Sequence, residues 1–117
     1  YGHGVPCARI TVVEASHPVP EAPAAEAAAR LIETVSGLTH DDVVLALVSG
    51  GGSALLTLPA PGIPLGDLQD LTRALLASGA SITEMNTIRR HVSMAAGGRL
   101  ARAAAPARVL TLAVSDV

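Results

Sequence analysis

Val43-Val44-Leu45-Ala46-Leu47-Val48, followed at once by Ser49-Gly50-Gly51-Gly52-Ser53-Ala54-Leu55-Leu56, decides the fold. Six apolar residues without alternation suit a strand of a parallel sheet covered on both faces. A triple glycine that turns from such a strand into an apolar helical run is the strand-loop-helix step of layered α/β architecture. Two more runs, Ile10 to Val13 and Val109 to Val114, predict further strands on either side of it.

Between Ile10–Val13 and Val43–Val48, Ala24, Ala27, Ala28, Leu31, Ile32 and Val35 recur at helical spacing, and Gly37 supplies a left-handed stop. That predicts one β-α-β unit. Beyond the glycine loop, Thr57 to Pro64 reads as a surface loop. Leu65, Leu68, Leu71, Leu75 and Leu76 then mark a helix behind Pro64, with Asp67 and Asp70 early, where the helix dipole favours acids, and Gly79 as its end. Ser81-Ile82-Thr83-Glu84 is a capping box, in which each side chain satisfies a backbone N–H at the start of a helix. The apolar stripe of that helix is Ile82, Met85, Ile88 and Val92; Asn86, Arg89, Arg90 and Ser93 share the opposite side. Gly97-Gly98 breaks the chain before a short Ala/Arg-rich helix ending near Pro106. The fold class is α/β, a mainly parallel sheet layered with helices.

Composition narrows the function. The chain has 117 residues, 50% hydrophobic and 15% charged, with a formal net charge of −2; it is one domain-sized unit. All 8 basic residues are arginines, and there is no Phe, no Trp and a single Tyr. A Walker-type phosphate loop and a Schiff-base enzyme both need a lysine, and a nucleic-acid surface needs a basic excess with aromatic platforms, so none of these is built from this chain. The longest apolar run falls far short of the roughly 20 residues of a membrane helix, and no signal-peptide layout is present. The reading is a soluble protein that is not secreted. Cys7 alone makes neither an internal disulfide nor a metal set and reads as a passive small residue. A start at Tyr1 without methionine, and an end at Ser115-Asp116-Val117 directly after a strand, suggest a piece of something longer.

Four groups of residues are candidates for chemistry. Ser49, Gly50, Gly51, Gly52 and Ser53 form either an anion cradle, with backbone N–H groups converging at a helix start, or a tight packing turn. The loop lies outside the carboxyl end of a strand, where ligands of open parallel sheets gather. It lacks the third glycine of the dinucleotide fingerprint and the last glycine of a nucleophile elbow. Asp116 follows the last strand on the same edge and reads either as a Mg²⁺-holding carboxylate or as a turn residue. Arg89 and Arg90 can clamp a phosphate or carboxylate, with Asn86, His91 and Ser93 adding directional bonds; the alternative is a solvated helix face. His17, in the stiff loop Ala15-Ser16-His17-Pro18-Val19-Pro20, stands just past the first expected strand.

Together, Glu14-Ala15-Ser16-His17-Pro18-Val19-Pro20, Ser49 to Leu55, Ser78-Gly79-Ala80-Ser81-Ile82 with Glu84, Asn86, Arg89, His91 and Ser93, Gly97-Gly98-Arg99-Leu100-Ala101 and Ser115-Asp116-Val117 resemble the class II glycerate 2-kinases. These have a DUF4147 amino-terminal and a MOFRL carboxyl-terminal domain, and some are labelled hydroxypyruvate reductase. The resemblance spans essentially the whole chain. It implies that residues 1–117 are part of a Rossmann-like amino-terminal domain, cut at both ends, of a two-domain cytoplasmic enzyme with its active site between the domains. It leaves a homodimer open.

The implied reaction is ATP-dependent, Mg²⁺-assisted phosphorylation of the 2-hydroxyl of D-glycerate, for which the fragment alone would be inactive. By the same likeness, Arg89 and Asp116 are catalytic, Asp116 belongs to the metal-associated motif, and His17, Ser49 to Ser53, Asn86 and Arg90 bind substrate or nucleotide. Reductase activity and a non-catalytic anion-binding module are the alternatives. The chain departs from the family pattern at Glu21, where Asp is usual, at Arg90, where relatives often have lysine, and at Ala96, where lysine is common. Either another arginine substitutes at Ala96 or activity is altered.

Overall fold

The computed structural model describes residues 1–114, with Ser53 described by its backbone alone. In chain order the elements are α1 (Ala22–Val35), β1 (Val43–Val48), α2 (Gly52–Leu55), α3 (Leu65–Ala77), α4 (Ile82–Val92), α5 (Arg99–Ala104) and β2 (Arg108–Ala113). The class is α/β, as the sequence predicts.

β1 and β2 pair in parallel, with Val43 opposite Arg108 and Val48 opposite Ala113. β1 has its predicted bounds, whereas β2 starts and ends one residue earlier than Val109–Val114. Both strands finish at one edge, and the Val114 N–H donates to the Val48 carbonyl at 2.9 Å. The glycine loop leaves β1 at that edge.

The expected strand at Ile10–Val13 does not form. A strand exists only through a ladder, and among the described residues this segment has no strand partner. It runs instead beside α1 and Leu56, where Thr11, Val13, Ala27, Arg30 and Leu31 border an open depression of about 380 Å³. The β-α-β unit therefore lacks its first strand here.

Close packing is concentrated on small residues. Ala24 and Ala28 of α1 and Ala104 of α5 have no exposed surface, so the backbones of these two helices approach closely. Leu68 of α3 and Val35 of α1 complete the buried apolar set with Ala54. Gly37 and Gly79 take positive φ, 80° and 72°, just past α1 and α3, as their reading as stops requires. The capping box forms: the Glu84 N–H donates to Ser81 Oγ at 3.3 Å, and the Ser81 N–H to Glu84 Oε2 at 2.8 Å.

Two expectations about burial are overturned. The strands are not covered on both faces among the described residues: Leu45 and Leu47 of β1 stand beside Leu110 and Leu112 of β2 on one open face, with Leu47 71% and Leu112 64% exposed. The apolar stripe of α4 is not buried either, since Ile82 and Ile88 are exposed, while Ser93 from the polar side is only 3% exposed. α4 turns polar groups inward because its C-terminal end is stitched to the Thr57–Pro64 loop through the backbone. The Met94 N–H reaches the Leu58 carbonyl at 2.7 Å, and the Ala60 N–H reaches the Val92 carbonyl at 2.9 Å.

Candidate functional site

A cavity of about 390 Å³ opens where α4 faces α3 and the loops at the sheet edge. Thr83, Asn86, Arg89, Arg90, Val92 and Ser93 form one wall, and Leu68 and Thr72 of α3 form another. Pro18, Pro20, Ala54, Thr57 and Ala96 close the rest. Asn86, Arg89, Arg90 and Ser93 meet here for the reason legible in the sequence: they are three or four residues apart on one helical face.

Each wall is held by specific bonds. Gln69 Nε2 donates to the Pro20 carbonyl at 2.8 Å, which fixes the His17–Pro20 loop against α3. The buried Thr72 hydroxyl satisfies itself on the Leu68 carbonyl at 2.8 Å. Ser93 Oγ accepts the N–H groups of Ala95 at 3.2 Å and of Leu58 at 3.4 Å. These contacts pin the α4 wall to the loop below it.

One polar atom is left over. Asn86 Oδ1 is buried and has no hydrogen-bond partner, the one such side-chain atom among the described residues. A buried acceptor without a donor is costly, and its natural complement is a donor supplied from outside the chain. Arg89 and Arg90 line the same cavity, and no carboxylate does. The cavity therefore combines positive charge with an acceptor awaiting a hydroxyl or an amine.

The glycine loop and His17 are brought to each other rather than into this cavity. Gly51 has φ 77°, which favours glycine, and an added Cβ there would lie 3.9 Å from His17 Nε2. The Gly52 N–H closes back on the Ser49 carbonyl at 3.2 Å, so that amide is spent inside the turn. Their chain neighbours Pro18 and Ala54 line the cavity, which places the pair at its margin. Ser49 and Gly50 are exposed. Asp116 and its neighbours Ser115 and Val117 lie outside the described residues, as does the Ser53 side chain. His91 does not line the cavity: its Nδ1–H donates to the Thr87 carbonyl at 2.7 Å.

Perturbed carboxylates lie outside the cavity and have local causes. Glu84 is held below the usual glutamate range, first by the Ser81 hydroxyl and then by the Ser81 N–H. Glu14 is lowered by the Gly4 and His3 N–H groups, at 2.8 and 2.7 Å. Glu21, the departure from Asp, accepts from the Tyr1 hydroxyl at 2.8 Å and lends α1 no side-chain cap.

No group of three or more His, Cys, Asp or Glu residues is placed to hold a metal ion among the described residues. Cys7 is a free, exposed thiol. Among the described residues, no helix is long and apolar enough to cross a membrane.

Sequence reasoning missed Thr57, Thr72 and Thr83 as lining groups. Only the spacing of Thr72, four residues after Leu68, hinted at it. Ala96, marked as a departure from the family pattern, lines the cavity beside Arg89 and Arg90.

Comparison with known proteins accounts for the whole chain. Residues 1–117 match the family described as "Domain of unknown function (DUF4147)". A protein of Agrobacterium vitis provisionally named a hydroxypyruvate reductase is 56% identical over 117 residues, covering 100% of this chain and 30% of that protein. D-glycerate 2-kinase of Thermotoga maritima is 48% identical over 118 residues, covering 100% of this chain and 28% of the enzyme. The crystal structure of glycerate kinase from Thermotoga maritima superimposes with a TM-score of 0.89 at 47% identity, again over 100% of this chain and 28% of that one. The chain thus spans less than a third of the length of these relatives.

Proposed function

The chain belongs to the DUF4147 family, and from that premise we propose that the protein containing it is a glycerate 2-kinase, which moves the γ-phosphoryl group of ATP to the 2-hydroxyl of D-glycerate. The observation that carries this reading is the unpartnered Asn86 Oδ1 in a cavity lined by Arg89 and Arg90. A small hydroxy acid supplies what these groups lack: a carboxylate for the forked guanidinium groups and a hydroxyl donor for the amide oxygen. Arg89 and Arg90 line the cavity together with Ala96 and supply its positive charge.

In the reaction the 2-hydroxyl oxygen bonds to the γ-phosphorus as the bond to the β,γ-bridging oxygen breaks. ADP leaves and the hydroxyl proton is released. Catalysis of this kind rests on positioning and on preorganised charge, and Arg89 is assigned to that task. Asn86 and Arg90 orient the acid. His17 and the Ser49 to Ser53 loop border the same ligand.

Phosphoryl transfer from ATP employs Mg²⁺. The described residues do not fit that ion, since no carboxylate lines the cavity; Asp116 is the proposed ligand. On this reading residues 1–117 are part of the amino-terminal domain, and a carboxyl-terminal domain completes the cleft. A cytoplasmic location is part of the same proposal.

Reductase activity is the second reading, favoured by the name of the Agrobacterium vitis relative and opposed by the incomplete dinucleotide fingerprint at Gly50 to Leu55. The test gives the intact protein glycerate with ATP, then hydroxypyruvate with NADH. ADP and 2-phosphoglycerate are the expected products. NADH oxidation without ADP formation refutes the kinase.

A further inference from the structure

A second depression, of about 520 Å³, lies beyond the C-terminal end of α4 and is lined by Arg90, His91, Gly97, Gly98, Arg99 and Arg102. Three guanidinium groups and an imidazole face it, and no carboxylate does. In a chain of net charge −2 this is an uneven placement of cations. The one ion pair among the described residues is Arg73 with Asp70, far along the chain, so these arginines are not neutralised by acids of the fold.

The end of a helix is ordinarily a poor place for an anion, because its last carbonyls carry partial negative charge. Arg99 reverses that. Its Nη1 donates to the carbonyls of Arg90 and, at 2.7 Å, of Ser93, and its Nη2 to the carbonyl of His91 at 3.4 Å. Three acceptors are thereby covered by one cation, and the rim becomes positive. Gly97 keeps the chain close enough for this: it has φ 64°, and a Cβ there would come within 3.3 Å of the Arg90 carbonyl.

Arg90 is the one residue that lines both this depression and the cavity assigned to the hydroxy acid. Its own bonds are long, Nε to the Asn86 carbonyl and Nη2 to Thr87 Oγ1, both at 3.3 Å, so its head is available to a ligand on either side. Two anion-seeking hollows that share a cation have the layout a transfer between two anions needs.

We propose that the Arg90, His91, Arg99 and Arg102 depression is a polyphosphate subsite that takes the phosphates of the phosphoryl donor, with Arg90 standing between donor and acceptor; this rests on the kinase reading. Arg99 is a positioning residue here, its guanidinium committed to carbonyls, while Arg90, His91 and Arg102 face the ligand.

The test uses the intact protein and Arg102→Gln, which lines this depression only. Calorimetry with inorganic tripolyphosphate at low salt is expected to show about fivefold to tenfold weaker binding in the variant, the effect of losing one partly screened charge-assisted contact. Arg102→Lys should retain most of the affinity. The KM for ATP should rise by a similar factor, with the KM for glycerate unchanged. Equal tripolyphosphate binding by wild type and Arg102→Gln overturns the subsite. Weakened tripolyphosphate binding with an unchanged KM for ATP overturns its assignment to the donor. A wild-type protein that phosphorylates no glycerate refutes the kinase reading and the donor role with it, while the calorimetric comparison still decides whether the depression binds polyphosphate.

Discussion

Replacing Ser93 with alanine isolates one oxygen atom that ties the α4 wall of the cavity to the loop beneath it. Ser93 is 3% exposed, and its Oγ receives two backbone N–H groups, from Ala95 at 3.2 Å and from Leu58 at 3.4 Å. Both bonds are at the long end for N–H···O contacts, so each belongs near the bottom of the usual net range of roughly 0.5–1.5 kcal/mol. Their joint loss, with two part-buried donors left to find water, costs about 1–2 kcal/mol. Alanine removes no carbon, so no cavity of consequence is added.

The neighbouring backbone bonds, Met94 to Leu58 at 2.7 Å and Ala60 to Val92 at 2.9 Å, survive the change. The bridge therefore persists but opens more often. A cost of about 1–2 kcal/mol raises the open fraction roughly 5- to 30-fold. Hydrogen exchange on the intact protein should show the Leu58 and Ala95 amides exchanging faster by that factor, with β1 amides unchanged. Unaltered protection at both positions, or a uniform loss across the chain, refutes the idea that Ser93 acts as a local tie.

Two more outcomes follow from the fold. Ala28→Leu forces three extra carbons into a site on α1 with no exposed surface and should destabilise the intact protein by about 1–3 kcal/mol, read as a lower urea midpoint; an unchanged midpoint would mean that α1 is not closely packed there. Glu84, held low by Ser81, strengthens the start of α4 at any pH above the usual glutamate range, and that contribution fades as acid takes pH down through the lowered folded value. An NMR titration should find the Glu84 midpoint below that of an ordinary glutamate, and Ser81→Ala should move it up; equal midpoints would contradict the capping geometry.

What was legible in the sequence was whatever local chemistry dictates. The capping box at Ser81 and Glu84, the stops at Gly37 and Gly79, and the bounds of β1 follow from neighbouring residues alone. The candidate wall was legible too, because Asn86, Arg89 and Arg90 share a helical face whatever packs against it. Tertiary choices were not legible. Ile10 to Val13 has the composition of a strand but no described strand beside it, and the stripe Ile82, Ile88 is apolar yet faces outward because backbone bonds at Leu58 and Ala60 turn the helix. The basic depression was invisible as a unit. Arg99 reaches carbonyls six to nine residues back through a glycine turn whose shape no periodicity encodes.

The open leucine face of the paired strands sets a practical bound on how these residues can be handled. Leu45, Leu47, Leu110 and Leu112 form a water-facing apolar panel, and a panel of that kind is colloidally sticky: it recruits other copies, detergent or chaperone before it tolerates bulk water. Dissecting this protein by expressing the 117 residues alone would therefore report on clumping rather than on ligand chemistry. The smallest useful specimen for binding work is one in which something already covers that panel.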